Sequence, residues 1–190
     1  MSIIYSYIYS TKVEYSKVCS SKSIKVTRII TKKWKKRFHE YHGIYQSWYI
    51  NGNKKVECEY KFNKLEGDYY YFNENGGNSG QLLLKLYFQN GLKHGCNKTY
   101  FSDGGLKTEC WYTKGVKNGI FKKWNSLGVL IFNQQFKNGR LNGTCEEYWS
   151  NGRIKIREHY IDGRINGFRT MYLECGQIYT QILYIHGEMV

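Results

Sequence analysis

The segment NGTCEEYWSNGRIKIREHYIDGRING, residues 142–167, contains the pattern that decides the fold. Counted from Gly143, an aromatic residue follows after five positions and a second glycine after nine. A second aromatic residue follows after seventeen positions and a third glycine after twenty, and Gly167 opens the next copy after twenty-four. A fixed period of this length is the signature of a repeat protein, in which each repeat is one supersecondary unit.

The same spacing recurs six times along the chain, with one irregular repeat that carries four extra residues around 77–80. The opening glycines are Gly43, Gly67, Gly95, Gly119, Gly143 and Gly167. The first aromatic position holds Trp48, Phe72, Tyr100, Trp124, Tyr148 and Tyr172, and the second glycine position holds Gly52, Gly76, Gly104, Gly128, Gly152 and Gly176. The second aromatic position holds Tyr60, Phe88, Tyr112, Phe136, Tyr160 and Tyr184.

Each repeat has the pattern of a β-hairpin. Asn-Gly or Asp-Gly pairs favour the positive φ angles of tight hairpin turns, which predicts turns at 51–52, 103–104 and 151–152 and also at 118–119, 142–143 and 166–167. Residues between these pairs alternate apolar and polar, as in Arg153–Tyr160, which indicates strands with one buried face.

One hairpin cannot bury its own apolar face, so neighbouring hairpins must cover one another. The predicted fold class is therefore all-β: an elongated, single antiparallel β-meander of about six stacked hairpin repeats. We expect each ring to lie over a glycine of the neighbouring repeat. If the ring of Tyr148 is fully buried, Tyr148→Ala should cost about 3–5 kcal/mol.

Charge divides the chain into a basic N-terminal segment, residues 1–41, and a repeat array, residues 42–190. The whole chain carries a net charge of +14, of which +8 lies in the first segment. Its densest run predicts a partner-binding or anion-binding site at Lys32, Lys33, Trp34, Lys35, Lys36 and Arg37. A solvated extension or a degenerate capping repeat is the alternative. The array carries +6 with interspersed acidic residues, which disfavours nucleic acid as a partner.

The sequence contains no pattern that predicts catalysis, a cofactor or a metal site. His39 and His42 form an isolated HxxH pair without companion ligands. Cys58 and Cys110 share one repeat position, which indicates core residues, since no basic residue recurs beside them to activate a thiol. The chain is therefore predicted not to be an enzyme. Exposed aromatic residues are expected to form either an interface or a second packed face, at Tyr49, Phe101, Trp111 and Trp149.

The repeat resembles the MORN repeat (membrane occupation and recognition nexus), in a variant of about two dozen residues. The resemblance covers residues 42–187 and is carried best by segments 94–119 and 142–167. Proteins with this variant include bacterial antitoxin-like proteins and proteins of amoeba-infecting giant DNA viruses. The resemblance implies a scaffold that binds proteins, dimerises or associates with phospholipid and is not itself a catalyst.

We therefore expect a non-catalytic repeat scaffold that mediates protein–protein interaction. One alternative is peripheral binding to an anionic membrane through the basic N-terminal segment, and another is an antitoxin that neutralises a partner toxin. A homodimer is a further expectation, because the strands at the ends of an open meander have free edges. The opening residues lack a basic, apolar leader pattern, which predicts a cytoplasmic protein, in a host cell if the chain is viral, or one at a membrane periphery.

Overall fold

A computed structural model describes residues 10–12, 30–32, 41–74 and 80–190, and every regular element in these ranges is a β-strand. The chain divides into two compact units, an N-terminal unit of residues 1–92 and a C-terminal unit of residues 93–190. The predicted all-β class is confirmed. The predicted division at residue 41 stays a prediction.

The N-terminal unit contains two groups of strands. Strands β1 and β2 form an antiparallel pair, and β3 to β6 pair antiparallel in chain order. The bounds are β1 (Ser10–Lys12), β2 (Ile30–Lys32), β3 (Gly43–Trp48), β4 (Lys54–Lys61), β5 (Lys64–Phe72) and β6 (Leu82–Gln89), and β7 (Leu92–Lys93) lies at the boundary between the units.

The C-terminal unit is an antiparallel meander, in which each strand pairs with its neighbours along the chain. Its strands are β8 (Gly95–Tyr100), β9 (Leu106–Thr113), β10 (Val116–Trp124), β11 (Leu130–Lys137), β12 (Arg140–Leu141), β13 (Gly143–Tyr148), β14 (Ile154–Ile161), β15 (Arg164–Ile165), β16 (Gly167–Tyr172), β17 (Ile178–Ile185) and β18 (Glu188–Met189). Each of the short strands β12 and β15 pairs with the strand before it, β11 or β14. An interruption separates each of them from the longer strand that follows. The antiparallel meander predicted from the repeat is confirmed.

Two kinds of turn alternate along the meander. The turn that ends each repeat has two residues, both with positive φ, as a type I′ hairpin requires. These pairs are Phe62–Asn63, Asn90–Gly91, Lys114–Gly115, Asn138–Gly139, Asp162–Gly163 and His186–Gly187. The turn in the middle of a repeat is longer, and in the turns at Gly52, Gly104, Gly128, Gly152 and Gly176 only the glycine takes a positive φ, from 77° to 95°.

The Asn-Gly pairs that open the later repeats are not turns, and this part of the sequence prediction is wrong. Gly119 lies inside β10 with a φ of 115°, where the register with β9 shifts between Lys117 and Phe121. The asparagine before it has a separate role, since Asn118 Oδ1 accepts a hydrogen bond from the backbone N–H of Asn138 at 3.3 Å. Asn166 accepts a bond from the backbone N–H of His186 in the same way, at 3.2 Å, whereas Asn142 Nδ2 donates to Asp162 Oδ1 at 3.5 Å.

The second aromatic residue of each repeat lies opposite the opening glycine of its own repeat. Gly143 pairs with Tyr160, and Gly119 pairs with Phe136. The expectation that each ring lies over a glycine of the neighbouring repeat is wrong, because the turn in the middle of the repeat pairs the ring with the glycine of the same hairpin.

The core is thin, because most side chains on either side of the sheet are only partly covered. Among the described residues, no large side chain is less than 2% exposed. Tyr148 is half-buried, so the condition for the largest Tyr148→Ala effect is not met. The smallest exposures belong to small residues: Cys58, Cys110, Cys145, Ser47, Asn97 and Thr170.

Candidate interaction surfaces

The strand register assigns side chains in the C-terminal unit to two faces. Cys110 on β9 lies opposite Asn97 on β8 and Phe121 on β10. Trp111, the next residue, points to the other side, where it lies opposite Cys96. We call the side of Cys110 the lysine–ring face and the side of Trp111 the tryptophan face.

Cys58 and Cys110 occupy equivalent repeat positions and are buried, one in each unit, and Cys145 is buried at a different repeat position. Cys58, Cys110 and Cys145 are exposed by 3%, 6% and 5%, which confirms that Cys58 and Cys110 are core residues. Burial raises the pKa of the Cys58 thiol to about 11, and the neighbouring Glu57 acts in the same direction. A thiol with such a pKa is almost wholly protonated near neutral pH and is a poor nucleophile.

The tryptophan face presents large apolar side chains to solvent. Trp111 is 45% exposed and Ile120, on the adjacent strand, is 43% exposed. Gly119 lies against Trp111 and leaves space for it, because a Cβ atom at Gly119 would lie only 3.0 Å from the Trp111 Cβ. Phe168 is exposed at the position equivalent to Ile120 two repeats later. Exposed aromatic and aliphatic side chains of this kind are typical of protein interfaces.

A row of charged and polar residues lies beside these apolar side chains. Glu109 pairs in register with Lys98 on one side and with Lys122 on the other. The Lys98 Nζ lies 3.8 Å from Glu109 Oε1, and the Cys96 thiol donates to the same oxygen at 3.1 Å. The row continues on β13 and β14, where Arg157 Nε donates to Glu146 Oε1 at 3.0 Å.

Glu146 is the centre of a hydrogen-bond network. Its Oε2 accepts from the Tyr148 hydroxyl at 2.5 Å and from Asn133 Nδ2 at 3.4 Å. Partial burial acts to raise the pKa of Glu146, but the hydrogen bonds from Tyr148, Arg157 and Asn133 outweigh burial and hold the pKa below its usual range. Burial, together with the bond to Glu146, raises the pKa of Tyr148 to about 12.

On the lysine–ring face, lysine ammonium groups lie over aromatic rings. Lys117 Nζ lies 4.8 Å from the ring centres of both Phe121 and Phe136. Lys123 lies over Phe132 at 5.7 Å, and Lys93 lies over Tyr112 at 5.4 Å. The sequence analysis did not identify this set, although the recurrence of lysine two positions before the opening glycines Gly95 and Gly119 was visible in it.

Of the four aromatic residues predicted to be exposed, only Trp111 belongs to the exposed class. Tyr49, Phe101 and Trp149 are each half-covered by a lysine, at 5.2, 5.5 and 5.0 Å from the ring centre. Two of them also fasten one repeat to the next, because the Tyr49 hydroxyl donates to the Phe72 carbonyl and Trp149 Nε1 donates to the Tyr172 carbonyl.

The N-terminal unit has a pocket with a volume of about 500 Å³ beside β3 and β4. Tyrosines supply much of its lining, and Cys58 contributes to it. Tyr45 and Tyr60 meet edge to face with ring centres 6.3 Å apart. Partial burial raises the pKa of Tyr69, another residue of this lining.

The predicted basic site at 32–37 cannot be placed among these surfaces. Lys32 ends β2, and Lys33, Trp34, Lys35, Lys36 and Arg37 lie outside the described residues. The prediction of a partner-binding or anion-binding site there stays a prediction.

Within the described ranges, no three histidine, cysteine, aspartate or glutamate side chains are grouped so as to hold a metal ion. Among the same residues there is no helix long and apolar enough to span a membrane. Comparison with protein-family models finds no match, and a search of curated proteins finds no similar sequence.

Proposed function

We propose that the chain is a non-catalytic repeat scaffold that binds a partner protein through the tryptophan face of its C-terminal unit. The observation that carries the proposal is the pair Trp111 and Ile120, which are adjacent, large, apolar and each more than two-fifths exposed. Contiguous exposed apolar patches with a polar rim mark protein interaction sites, and this pair forms the centre of such a patch.

The surroundings of this pair support a protein partner. Glu109, Lys98 and Lys122 form a polar border beside the apolar side chains. An apolar centre with a charged rim is the usual anatomy of a protein interface, and tryptophan is the residue type that most often dominates its binding energy.

The test is an affinity purification from the native cell with quantitative mass spectrometry, using the full chain. Trp111→Ser combined with Ile120→Ser should lose a partner that the unchanged chain retains. Leu127→Ser is the matched control, because Leu127 is 83% exposed but lies in the turn before Gly128. If both variants melt like the unchanged chain and recover the same proteins, the tryptophan face is not the binding surface.

A further inference from the structure

Positive charge is concentrated in one part of the repeat array. Residues 104–145 contain seven basic residues and one acidic residue, Glu109. The basic residues are Lys107, Lys114, Lys117, Lys122, Lys123, Lys137 and Arg140. The net charge of this segment, +6, equals that of the whole array, so the acidic residues that balance the remaining lysines and arginines lie elsewhere.

Two cations of this segment, Lys117 and Lys123, lie on the lysine–ring face of β9 to β11, and the one acidic residue of these three strands does not. Glu109, the single acidic residue of the segment, belongs to the tryptophan face, where it pairs with Lys98. Across β11, Glu147 lies opposite Phe132, but its Oε1 accepts a hydrogen bond from Lys155 Nζ at 2.7 Å. Glu109 and Glu147 therefore pair with other lysines, and among the described residues neither Lys117 nor Lys123 forms a salt bridge.

Each of these cations lies beside an aromatic ring. Lys117 is shared between Phe121 and Phe136, whose ring centres are 6.4 Å apart with an interplanar angle of 89°. Lys123 lies over Phe132, its partner in the strand register. At a partly exposed site such a contact is weak, so the ammonium group can leave the ring when a stronger anionic partner arrives.

Cations next to rings match the chemistry of a single-stranded nucleic acid. Its phosphates bind the ammonium groups, and its unpaired bases stack on the ring faces that the lysines uncover when they move to the phosphates. An acidic polypeptide would use the lysines but leave the rings without a planar partner. A duplex would also fail to use the rings, because its base faces are hidden in the stack.

We propose that the lysine–ring face of β9 to β11 binds single-stranded nucleic acid without strong sequence preference, through Lys117, Lys123 and the rings of Phe121, Phe132 and Phe136. This role goes beyond the proposed binding of a protein partner and uses the opposite face of the same strands. The two proposals therefore fail independently.

The binding test is fluorescence anisotropy of the full chain with a labelled oligothymidylate of about 20 nucleotides. Raising the salt concentration from about 50 to 200 mM should weaken binding steeply. Phe136→Leu, which keeps an apolar side chain, should weaken binding about fivefold or more because one stacking surface is lost. Lys117→Gln should weaken it and lower the salt dependence.

Lys55→Gln is the matched control. Lys55 also lies over an aromatic ring, that of Tyr49 at 5.2 Å, but it lies outside residues 104–145. Binding by this variant should stay within about twofold of the unchanged chain. Equal binding by Phe136→Leu and the unchanged chain would overturn the proposal, as would equally effective competition by a polyglutamate peptide, a duplex or anionic vesicles.

A second measurement separates this face from the basic N-terminal segment and needs no substitution. An oligonucleotide that contains 5-bromouracil is photo-cross-linked to the unchanged chain, and the modified peptides are identified by mass spectrometry. Cross-links at Phe121, Phe132 or Phe136 are the expected result. Cross-links confined to residues 1–41 would overturn the assignment to β9–β11 even if Phe136→Leu proved too unstable to assay.

Discussion

Gly119 lies directly against Trp111, and a Cβ atom at position 119 would come within 3.0 Å of the tryptophan Cβ. The same glycine has a φ of 115°, in the region that residues with a side chain rarely adopt. Two separate constraints therefore require glycine here, one from the bulged backbone of β10 and one from the neighbouring strand.

Gly119→Ala should therefore destabilise the protein by about 2–4 kcal/mol, because strain at a positive φ and a steric clash add together. Gly128→Ala is the control, since Gly128 also has a positive φ, of 77°, but its Cβ position faces open space. We expect it to cost about 1–2 kcal/mol. Urea unfolding measures both changes, and equal losses would show that the contact with Trp111 contributes nothing.

The asparagine at position 118 should stabilise the neighbouring type I′ turn. Removing its Oδ1 by Asn118→Ala leaves the N–H of Asn138 without this acceptor and should cost about 0.5–1.5 kcal/mol. Asn118→Asp keeps an oxygen at the same place and should cost less. Thermal melts of the two variants decide the matter, and an aspartate variant as unstable as the alanine variant would contradict the capping role.

Glu146 should make stability depend on pH in the acid range. Its pKa is lower in the folded chain than the ordinary value of 4.5, so the stabilisation is present above that value and is lost as pH falls through the folded pKa. Glu146→Gln should be less stable near neutral pH and should lose less stability on acidification. The measurement is urea unfolding as a function of pH, with the exposed Glu188→Gln as the control. Parallel pH profiles for Glu146→Gln and the unchanged chain would refute the prediction.

Thiol reactivity should follow burial. In a Cys19→Ser background, a thiol reagent at about pH 8 should modify the exposed Cys175 first. Cys58 and Cys145 should react slowly until the chain is unfolded, because burial raises the pKa of both thiols and also blocks access to them. Peptide mapping after timed labelling identifies the site. Modification of Cys58 as fast as that of Cys175 would mean that β4 opens far more often than its pairing implies.

Much of the fold could be predicted from the sequence, because the glycine and aromatic spacing repeats and each copy reinforces the others. The antiparallel meander and the buried Cys58 and Cys110 both came from that spacing and from strand alternation. The function of the Asn-Gly pairs could not be predicted in the same way. Positive φ occurs both in turns and in bulges, and the pair Lys114–Gly115 forms a type I′ turn although it lacks asparagine.

The candidate surfaces were harder to predict than the fold. Trp111 was identified as exposed, but Tyr49, Phe101 and Trp149 were not recognised as residues covered by lysines, since the ring and the cation come from different strands. The set around Lys117 was missed for the same reason. Its two rings, Phe121 and Phe136, meet only after the bulge at Gly119 fixes the register of β10.

The alternation of two turn types makes each repeat of the C-terminal unit interchangeable with the next. The chain enters and leaves each repeat at the same side of the sheet. Both strands of a hairpin belong to one repeat, as the pairs Gly119–Phe136 and Gly143–Tyr160 illustrate. Removing or duplicating one stretch of twenty-four residues therefore leaves the pairing of every other strand intact. Copy number becomes a quantity that a single recombination event can change, and the width of both faces changes with it.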